Sequence, residues 1–432
     1  MNNLITQKYI FIKIPSILIV LIPFFLISGP LLSDLAVSIC SILFLITCIL
    51  NRNLIKYFKY KPFIVFIFFW LYLVVNSITV SENIIFSLKN SFFYFRFGVF
   101  SLCVWYILEN DNYLLKKIFY SIFICFFILI FDGFFQYYFK FNIIGFELHH
   151  GPRISSLFGD ELVYGSYLSR LMPLFFAVII FCSEKNYISK NLRYLSFLLF
   201  ILADIAVFLS GERTAFFFIN LAAIIFIFSS INYKKTRLFL FAASTFVIFL
   251  LSFVNLDAKK RIIDNTIYDM YKPSLEKYDN SKIYIFSKTH QEHMISAYRM
   301  FSDSPIFGVG HKNFRLLCSE DKYLISENSC STHPHNIYFQ LLSEHGIIGF
   351  IIVFSLFVLI LFIMIKHTFG NLFSNTKNLK YNDFQVCLFI ALIISLWPLA
   401  PSGNFFNNWI SIIIFYPVGI LIWSIKSKNS NS

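Results

Sequence analysis

The chain has 432 residues, of which 58% are hydrophobic and only 14% charged, and it carries 58 Phe and a formal net charge of +13. Its apolar residues come in blocks of about twenty rather than at the period of an amphipathic helix or strand. This pattern excludes an ordinary soluble enzyme and predicts an all-α polytopic membrane protein, with a single membrane domain over residues 1–432.

Twelve segments are long and apolar enough to be membrane spans, because a helix crossing roughly 30 Å of hydrocarbon needs about 20 mostly apolar residues. They lie near residues 12–28, 33–50, 62–80, 91–108, 115–138, 162–182, 193–210, 213–232, 236–255, 336–365, 384–402 and 405–425. The first is not interpreted as a cleavable signal peptide, since no small-residue cleavage site follows it and the chain leads straight into the second span.

The distribution of Lys and Arg predicts the orientation, because loops on the cytoplasmic side carry an excess of these residues. With the N-terminus inside, the inner segments hold nineteen of them: Lys8, Lys13, Arg52, Lys56, Lys59, Lys61, Lys116, Lys117, Lys185, Lys190, Arg193, Lys234, Lys235, Arg237, Lys366, Lys377, Lys380, Lys426 and Lys428. The short outer segments hold Lys89, Lys140, Arg153 and Arg213. Both termini are therefore expected on the cytoplasmic side, and the basic charge indicates membrane lipids rather than nucleic acid as the partner.

One connection is much longer than the others. Residues 256–335 lie between the ninth and tenth spans and are expected outside, as a partly helical periplasmic loop. The first half, 257–288, is polar, whereas Thr289 to Glu292 forms a capping box that begins a helix reaching about Phe301. Ser304-Pro305 ends that helix.

Two of the eight Cys residues, Cys318 and Cys330, fall in this loop, while the other six lie in predicted spans. In an oxidising periplasm the pair could form a disulfide that fastens the stretch before His335. The alternative is two unrelated thiols. A metal site is not expected, since the nearby His residues lack a zinc-like spacing with these Cys residues.

Charged and polar residues from separate parts of the chain are expected at the outer face. Arg213 begins the eighth span, His335 lies just before the tenth, and Arg299 lies in the loop. Helix N-termini at this face favour anions. Arg213 could instead be an interfacial anchor, Arg299 part of a solvated helix face, and His335 a helix cap.

Ionisable residues inside the predicted spans are costly and often functional. Arg96, Asp132, Arg170 and Asp204 all fall in the outer halves of their spans, which indicates a polar cavity with pairs such as Arg170 and Asp204. The alternative is separate structural pairs. Three further groups are interpreted from their positions: Glu344 and His345 as a core pair or part of the site, His333 as structural, and His290, His293 and His311 as surface residues.

Two spacings in the loop and tenth span resemble those of a known family. Arg299 is followed after ten residues by Gly310, and His335 is followed after ten by Gly346. Both resemble signatures of the O-antigen ligase and O-antigen polymerase superfamily. Gly211-Glu212-Arg213 looks like the family's Gly-x-Arg element, and residues 151–159, which include Arg153, look like another shared stretch. The family often has a Trp shortly before the Arg299 position, where this chain has His293.

The resemblance implies a membrane glycosyltransferase of the GT-C type that needs no metal or other cofactor and uses an undecaprenyl-diphosphate-linked glycan at the periplasmic face of the inner membrane. When the family's roles are carried over to this sequence, the resemblance implies that Arg213 and Arg299 bind the diphosphate. It also implies that His335 is the catalytic residue at the acceptor hydroxyl. Arg153, Glu344, Gly310 and Gly346 are supporting residues.

The first functional hypothesis is an O-antigen ligase, which transfers a finished polysaccharide to a lipid A-core acceptor. The second is an O-antigen polymerase, which joins lipid-linked repeat units. A protein O-oligosaccharyltransferase is a third, and a transporter or flippase of lipid-linked sugars is the alternative from a different class. Internal repeats and a site near the midplane, typical of transporters, are not evident in the sequence.

Overall fold

The computed structural model describes residues 9–149, 153–254, 256–271, 284, 287–373 and 380–430. In these ranges the secondary structure is helical, with isolated β-bridges at Phe141–Glu147 and His149–Arg153 and no β-strand. Nine of the described helices are long and apolar enough to cross a membrane, and three shorter apolar helices accompany them. The prediction of an all-α polytopic membrane protein is confirmed, and these twelve helices fall on the twelve predicted spans.

The helices are labelled here in chain order. They are α1 (Ile14–Phe25), α2 (Pro30–Leu50), α3 (Lys61–Thr79), α4 (Ile84–Phe92), α5 (Phe95–Asn110), α6 (Leu114–Phe139), α7 (Tyr164–Glu184), α8 (Lys190–Leu209), α9 (Arg213–Ser229), α10 (Lys234–Val254), α11 (Leu256–Lys259), α12 (Asn265–Tyr271), α13 (Lys288–Asp303), α14 (Phe314–Leu317), α15 (Ile337–Phe373), α16 (Asp383–Ser395) and α17 (Asn408–Ser430). A π-helical turn, Lys260–Asp264, joins α11 to α12.

The helix α7 lies at the centre of the bundle. Of its apolar stretch 89% is buried, against 17% for α10 and 22% for α15, which therefore present most of their surface to lipid. The helices α6, α8, α9 and α16 pack around α7, and α17 packs along α5. Because lipid tails are as apolar as Leu, this burial reflects side-chain packing between helices rather than the hydrophobic effect.

The two ends of the bundle differ. The end at which α9 and α15 begin carries the described part of residues 256–335 and is called the loop end. The end at which α3 and α16 begin is called the opposite end. The helix α15 has 37 residues, but its backbone leaves the helical region at Gly346, where φ is 60° and ψ is −162°. An unbroken helix of that length would measure about 55 Å, well beyond a bilayer core. Residues 337–345 therefore belong to the loop end, and the part after Gly346 crosses the membrane.

The ionisable residues inside the spans do not form the predicted Arg170–Asp204 pair. The carboxylate of Asp204 accepts a hydrogen bond from Ser244 Oγ at 2.7 Å. The guanidinium of Arg170 lies 4.8 Å from the ring centroid of Phe218. This pairing was wrong because the residues face different neighbours of α7 and α8, which sequence position alone did not define.

The other two in-span charges have local partners. Arg96 forms an ion pair with Asp34 of α2. Asp132 accepts a hydrogen bond from Ile143 N at 2.9 Å and one from Ser156, and so holds the segment after α6 against that helix. These contacts are separate structural pairs rather than the lining of one polar cavity.

Candidate active site

The turn between α8 and α9 is organised by Glu212. This buried carboxylate accepts hydrogen bonds from the backbone N–H groups of Gly165 and Ser166, at 2.5 and 3.0 Å, and from Ser166 Oγ at 2.8 Å. It therefore caps the N-terminus of α7, where an acidic group is favourable. The preceding Gly211 has a φ of +68°, a value that L side chains rarely adopt. The Gly-Glu-Arg sequence thus forms a rigid corner that sets the position of Arg213.

Three Arg side chains gather at this corner. Arg213 Nη1 lies 2.8 Å from Asp269 Oδ2 of α12, and Arg261 Nε donates a hydrogen bond of 3.0 Å to the carbonyl of Gly211. Burial lowers the pKa of Arg153 and of Arg261, and the positive charge of Arg213 lowers both further. Two carboxylates, those of Glu212 and Asp269, offset three guanidinium groups.

Arg153 also has an unused hydrogen-bond donor. Its Nε is buried and has no partner among the described residues. A buried donor without a partner is costly, and a site of net positive charge with such a donor is suited to an anion with several oxygens. Gly151 and Pro152 are the first two residues of the stretch 151–159 that resembles the family. They lie outside the described residues.

A cavity of about 530 Å³ begins at this cluster. Its polar end contains Arg213, Ser287 and His290. Its wall along α9 is mostly apolar down to Ile224, with Thr214 and Asn220 as the polar members. Isoleucines of the π-helical turn and α12 form the facing wall, the last of them Ile267. Residues 213–224 span about 16 Å of helix. One end of the cavity is therefore suited to an anion, and the rest is mostly apolar. This combination fits an amphiphile with an anionic head group.

His335 lies in a cluster of four His side chains at the loop end. Its ring centroid is 4.2 Å from that of His333, 5.1 Å from His293 and 5.5 Å from His290. His335 has a φ of 52°, a strained value for this residue type that aims the side chain. Since His290 also lines the cavity beside Arg213, the His cluster and the Arg cluster are adjacent.

Hydrogen bonds fix the rings around His335. His293 Nε2 lies 2.9 Å from the carbonyl of Asn328, His333 Nε2 lies 3.3 Å from the carbonyl of Ser402, and His290 Nδ1 lies 2.7 Å from Ser287 Oγ. The backbone N–H of Ser402 donates to the carbonyl of His335 at 2.8 Å. Three parts of the chain therefore meet at this cluster: the helix α13, the segment before α15, and the segment between α16 and α17.

The cluster is uncharged at neutral pH. Burial, together with the neighbouring rings, lowers the pKa of His335 to about 3 and those of His290 and His333 to about 4. The neutral rings can accept a proton or a hydrogen bond. Among the described residues, no group of three or more His, Cys, Asp or Glu side chains has a geometry that could hold a metal ion.

His290, His293 and His311 are not the surface residues that were expected. His293 and His311 are buried, and His290 is partly buried. For His290 and His293 the error arose because the inward face of α13 was predicted from its apolar residues alone. His290 and His293 share the inward side of α13 with Ala297, and the spacing of three and four residues could have indicated this.

Arg299 lies elsewhere. It is nine residues beyond His290 on α13, about 13 Å along the axis and on the opposite side of the helix. Its side chain is exposed, and Nη1 donates hydrogen bonds to the carbonyls of Leu324 at 3.0 Å and Lys322 at 3.4 Å. The structure therefore does not bring Arg299 together with Arg213. Arg261 lies in the stretch expected to be polar and irregular, which is why the sequence did not single it out.

The Sγ atoms of Cys318 and Cys330 are bonded, with their Cα atoms 5.0 Å apart. Cys318 directly follows α14, and Cys330 lies five residues before His335. The bridge therefore ties the chain that approaches the His cluster to the small apolar core formed by Ala297, Met300 and Phe314.

Gly310 and Gly346 take part in a single junction. The backbone N–H groups of Val309 and Gly310 donate to the carbonyls of Ser343 and Glu344 at 2.8 and 3.0 Å, and Ile347 N donates to Pro305 O at 2.9 Å. A Cβ on Gly346 would collide with the backbone of Ile306, and one on Gly310 with Ser81. The glycines of both ten-residue spacings thus allow the loop to dock on the break in α15.

Glu344 and His345 lie beneath this junction. Glu344 accepts a hydrogen bond from Gln340 Nε2 at 3.0 Å, and Nε2 of His345 lies 3.1 Å from Nδ1 of His311. Both side chains are fully buried. Their hydrogen-bonded partners are in this core and not in the His335 cluster, so the structure favours the interpretation of Glu344 and His345 as a core polar group.

Residues 197–354 match a family model described as O-antigen ligase. The matched region begins within α8 and continues through the Arg corner, the loop and the His cluster to the membrane part of α15. No curated protein matches the chain.

Proposed function

This chain belongs to the O-antigen ligase and polymerase superfamily through its O-antigen ligase domain at residues 197–354, and on that basis we propose that it transfers a polysaccharide from undecaprenyl diphosphate to a lipid A-core acceptor. Members of the family are membrane glycosyltransferase-like enzymes that act on lipid-linked glycans. The loop end then faces the periplasm of a bacterial inner membrane, with both termini in the cytoplasm.

The observation that carries the proposal is the cavity that joins the two clusters. Arg213 lines one end of it, and Arg153 and Arg261 lie beside Arg213. This end suits a diphosphate, because guanidinium groups form bidentate, charge-assisted hydrogen bonds to phosphate oxygens. Its apolar wall along α9 suits the first isoprene units of the carrier. His290 lines this cavity and contacts His335, so a sugar attached to the bound diphosphate lies within reach of His335.

We assign the diphosphate to Arg213, Arg261 and Arg153. Diphosphate is the leaving group, so positive charge at this position stabilises the transition state more than the bound substrate. The role first assigned to Arg299 stays a prediction, and its contacts with loop carbonyls favour a structural role. We assign Arg261 to the diphosphate in place of Arg299, because Arg261 lies beside Arg213 and Arg153.

His335 acts at the acceptor hydroxyl. The oxygen of that hydroxyl bonds to the anomeric carbon, the bond from this carbon to the diphosphate oxygen breaks with its electron pair going to the diphosphate, and the hydroxyl proton goes to His335. In the free site the neutral ring is a weak base. A bound diphosphate brings negative charge close to the ring, which raises the pKa of His335 and strengthens it as a base during the reaction.

Deletion of the gene tests the proposal. Loss of a ligase leaves bare lipid A-core and accumulates long polymer on the lipid carrier. Loss of a polymerase leaves core bearing a single repeat unit, which would select the second hypothesis. Polymer intermediates trapped on the cytoplasmic leaflet would indicate a transporter and contradict the enzyme proposal.

Complementation assigns the phenotype to the site. The wild-type gene restores capped core, whereas a gene carrying His335→Ala does not, although the protein inserts to the same level. Normal capping by that variant would remove His335 from the catalytic role.

A further inference from the structure

A second cavity, of about 320 Å³, lies among α3, α5, α15, α16 and α17 and shares no lining residue with the first. Its walls are almost entirely aromatic and aliphatic, with Phe66 and Phe69 of α3 on one side and Ile360 of α15 on the other. The volume is in the range of clefts that bind small molecules, roughly 300–1,000 Å³.

Hydrogen bonds join α3 to α15 and to the docked loop toward the loop end. There, Tyr72 OH donates to the carbonyl of His345 at 2.6 Å and Asn76 Nδ2 donates to the carbonyl of Phe307 at 2.7 Å. Farther from the loop end, residues 62–69 of α3 and 352–363 of α15 line the cavity between them.

The cavity opens sideways, toward the surface that faces lipid. Val65 of α3 and Leu359 of α15 both line it, and they are 40% and 53% exposed. An apolar space of this size is not hydrated, because water there would lack hydrogen-bond partners, and an empty one would leave its walls without dispersion contacts. In a bilayer, a hydrocarbon chain can enter through this opening.

Positive charge lies at the end of the cavity nearer to the opposite end of the bundle. Lys426 Nζ lies 5.1 Å from the ring centroid of Tyr60 and Lys380 Nζ lies 5.5 Å from that of Tyr381, and both Tyr residues line the cavity. Lys61 begins α3 directly before Pro62, which also lines it. These three Lys residues therefore lie at the end of the cavity where α3 and α16 begin, which the positive-inside rule predicts to be the cytoplasmic surface.

The carboxylate of Glu109 on the neighbouring helix α5 does not cancel this charge. It accepts hydrogen bonds from Trp105 Nε1 and Tyr57 OH, and it lies 3.8 Å from Lys56 Nζ. Glu109 is therefore already engaged by a cation and two neutral donors.

We propose that this cavity is a binding site for an anionic glycerophospholipid, with one acyl chain inside it and the phosphate held by Lys61, Lys380 and Lys426. Basic pockets between membrane helices bind such head groups at the cytoplasmic surface. The site is separate from the Arg corner and does not depend on the proposed transfer reaction.

The acyl-chain part of the proposal is tested with Leu359→Trp, which blocks the opening. Val358→Trp is the matched control, since Val358 is an exposed neighbour that does not line the cavity. The full chain is purified from a membrane containing phosphatidylglycerol, and the retained lipid is measured by native mass spectrometry. We expect one phosphatidylglycerol on the wild type and on Val358→Trp, and at least about tenfold less on Leu359→Trp. Equal retention by the two Trp variants would overturn the proposal.

The charge part is tested with Lys380→Gln combined with Lys426→Gln. Lys116→Gln combined with Lys185→Gln removes the same charge at the same end, away from the cavity. We expect the wild type and this control to bind phosphatidylglycerol more tightly than phosphatidylcholine with the same chains, by about fivefold for each Lys involved. The test variant keeps Lys61, so its preference should be about 25-fold smaller than that of the wild type. No preference in the wild type, or the same loss in the control, would overturn the proposal.

Discussion

At the scale of single residues, the chemistry of the site depends on charges that are only partly compensated and on rings that are kept neutral. Arg153, Arg213 and Arg261 share two carboxylates, and burial and neighbouring positive charge lower the pKa of Arg153 and of Arg261. The His cluster carries no charge at neutral pH because burial opposes protonation. The Arg side chains suit an anionic glycan donor. The neutral His rings supply a proton acceptor.

Arg261 and Arg299 give a direct comparison between an Arg that is proposed to bind the diphosphate and one that contacts loop carbonyls. We expect Arg261→Ala to lower transfer from a lipid-diphosphate donor by about 10²-fold or more, because it removes a cation from the leaving group. Arg261→Lys should recover part of this loss, and Arg299→Ala should lower turnover by less than about tenfold while making the loop more sensitive to protease. Turnover is measured with purified protein and lipid-linked donor. The reverse order of the two Ala variants would return Arg299 to the diphosphate.

The His cluster makes stability depend on pH. Unfolded His is protonated below about pH 6.5, whereas folded His333 and His335 are protonated only below about 4 and 3. Between these values the unfolded state binds more protons, so stability is complete above about pH 6.5 and falls as the pH is lowered toward 4. We expect the unfolding temperature in detergent to fall by at least about 5 °C from pH 7 to pH 4.5.

His333→Gln tests whether the cluster causes this loss. The variant should show a smaller decrease in unfolding temperature than the wild type, and His149→Gln, a change outside the cluster, should behave as the wild type. An unchanged decrease in His333→Gln would show that other groups are responsible.

At the scale of elements, the site is assembled by ends and breaks of helices. Glu212 fixes the corner between α8 and α9 by capping α7, and the break at Gly346 provides the surface on which residues 305–310 dock. Regular helices could not supply these contacts, because their backbone groups are satisfied internally. The loop is therefore positioned by backbone hydrogen bonds that only an interrupted helix offers.

Gly346→Ala tests the docking of the loop. The added Cβ would meet the backbone of Ile306 at a positive φ, so neither the loop nor the break can accept it without moving. We expect a loss of stability of about 2 to 4 kcal/mol and faster protease cleavage within residues 305–330. Gly403→Ala is the control, since its Cβ would come no closer than 3.5 Å to another atom. Similar protease resistance of Gly346→Ala and the control would contradict this role.

At the scale of the whole molecule, the bundle separates two groups of residues that are proposed to bind different ligands. The loop end collects the Arg corner, the His cluster and the disulfide, and the opposite end collects Lys residues beside an apolar cavity. This distribution follows from the chain topology, since every helix that begins near a site residue begins at the same end. The positive-inside rule then predicts that the Lys end is cytoplasmic.

The orientation can be measured with single Cys substitutions at exposed positions. Glu327→Cys lies in the loop and Lys59→Cys lies at the opposite end. In intact cells with a permeabilised outer membrane, we expect a membrane-impermeant maleimide to label Glu327→Cys and not Lys59→Cys. Disruption of the inner membrane should make both reactive. Labelling of Lys59→Cys in intact cells would reverse the topology and contradict a periplasmic loop.

The sequence by itself determined the number and position of the membrane helices, because hydrocarbon imposes a length and a composition that can be counted locally. It also indicated Arg213 and His335, whose motifs lie at predicted helix starts. Only the tertiary structure decided that Arg261 and His290 join them while Arg299 turns away, since the path of the loop sets which side chains meet. The same holds for Arg170 and Asp204: burial requires some partner for each, but the choice of partner depends on how the helices are rotated against one another.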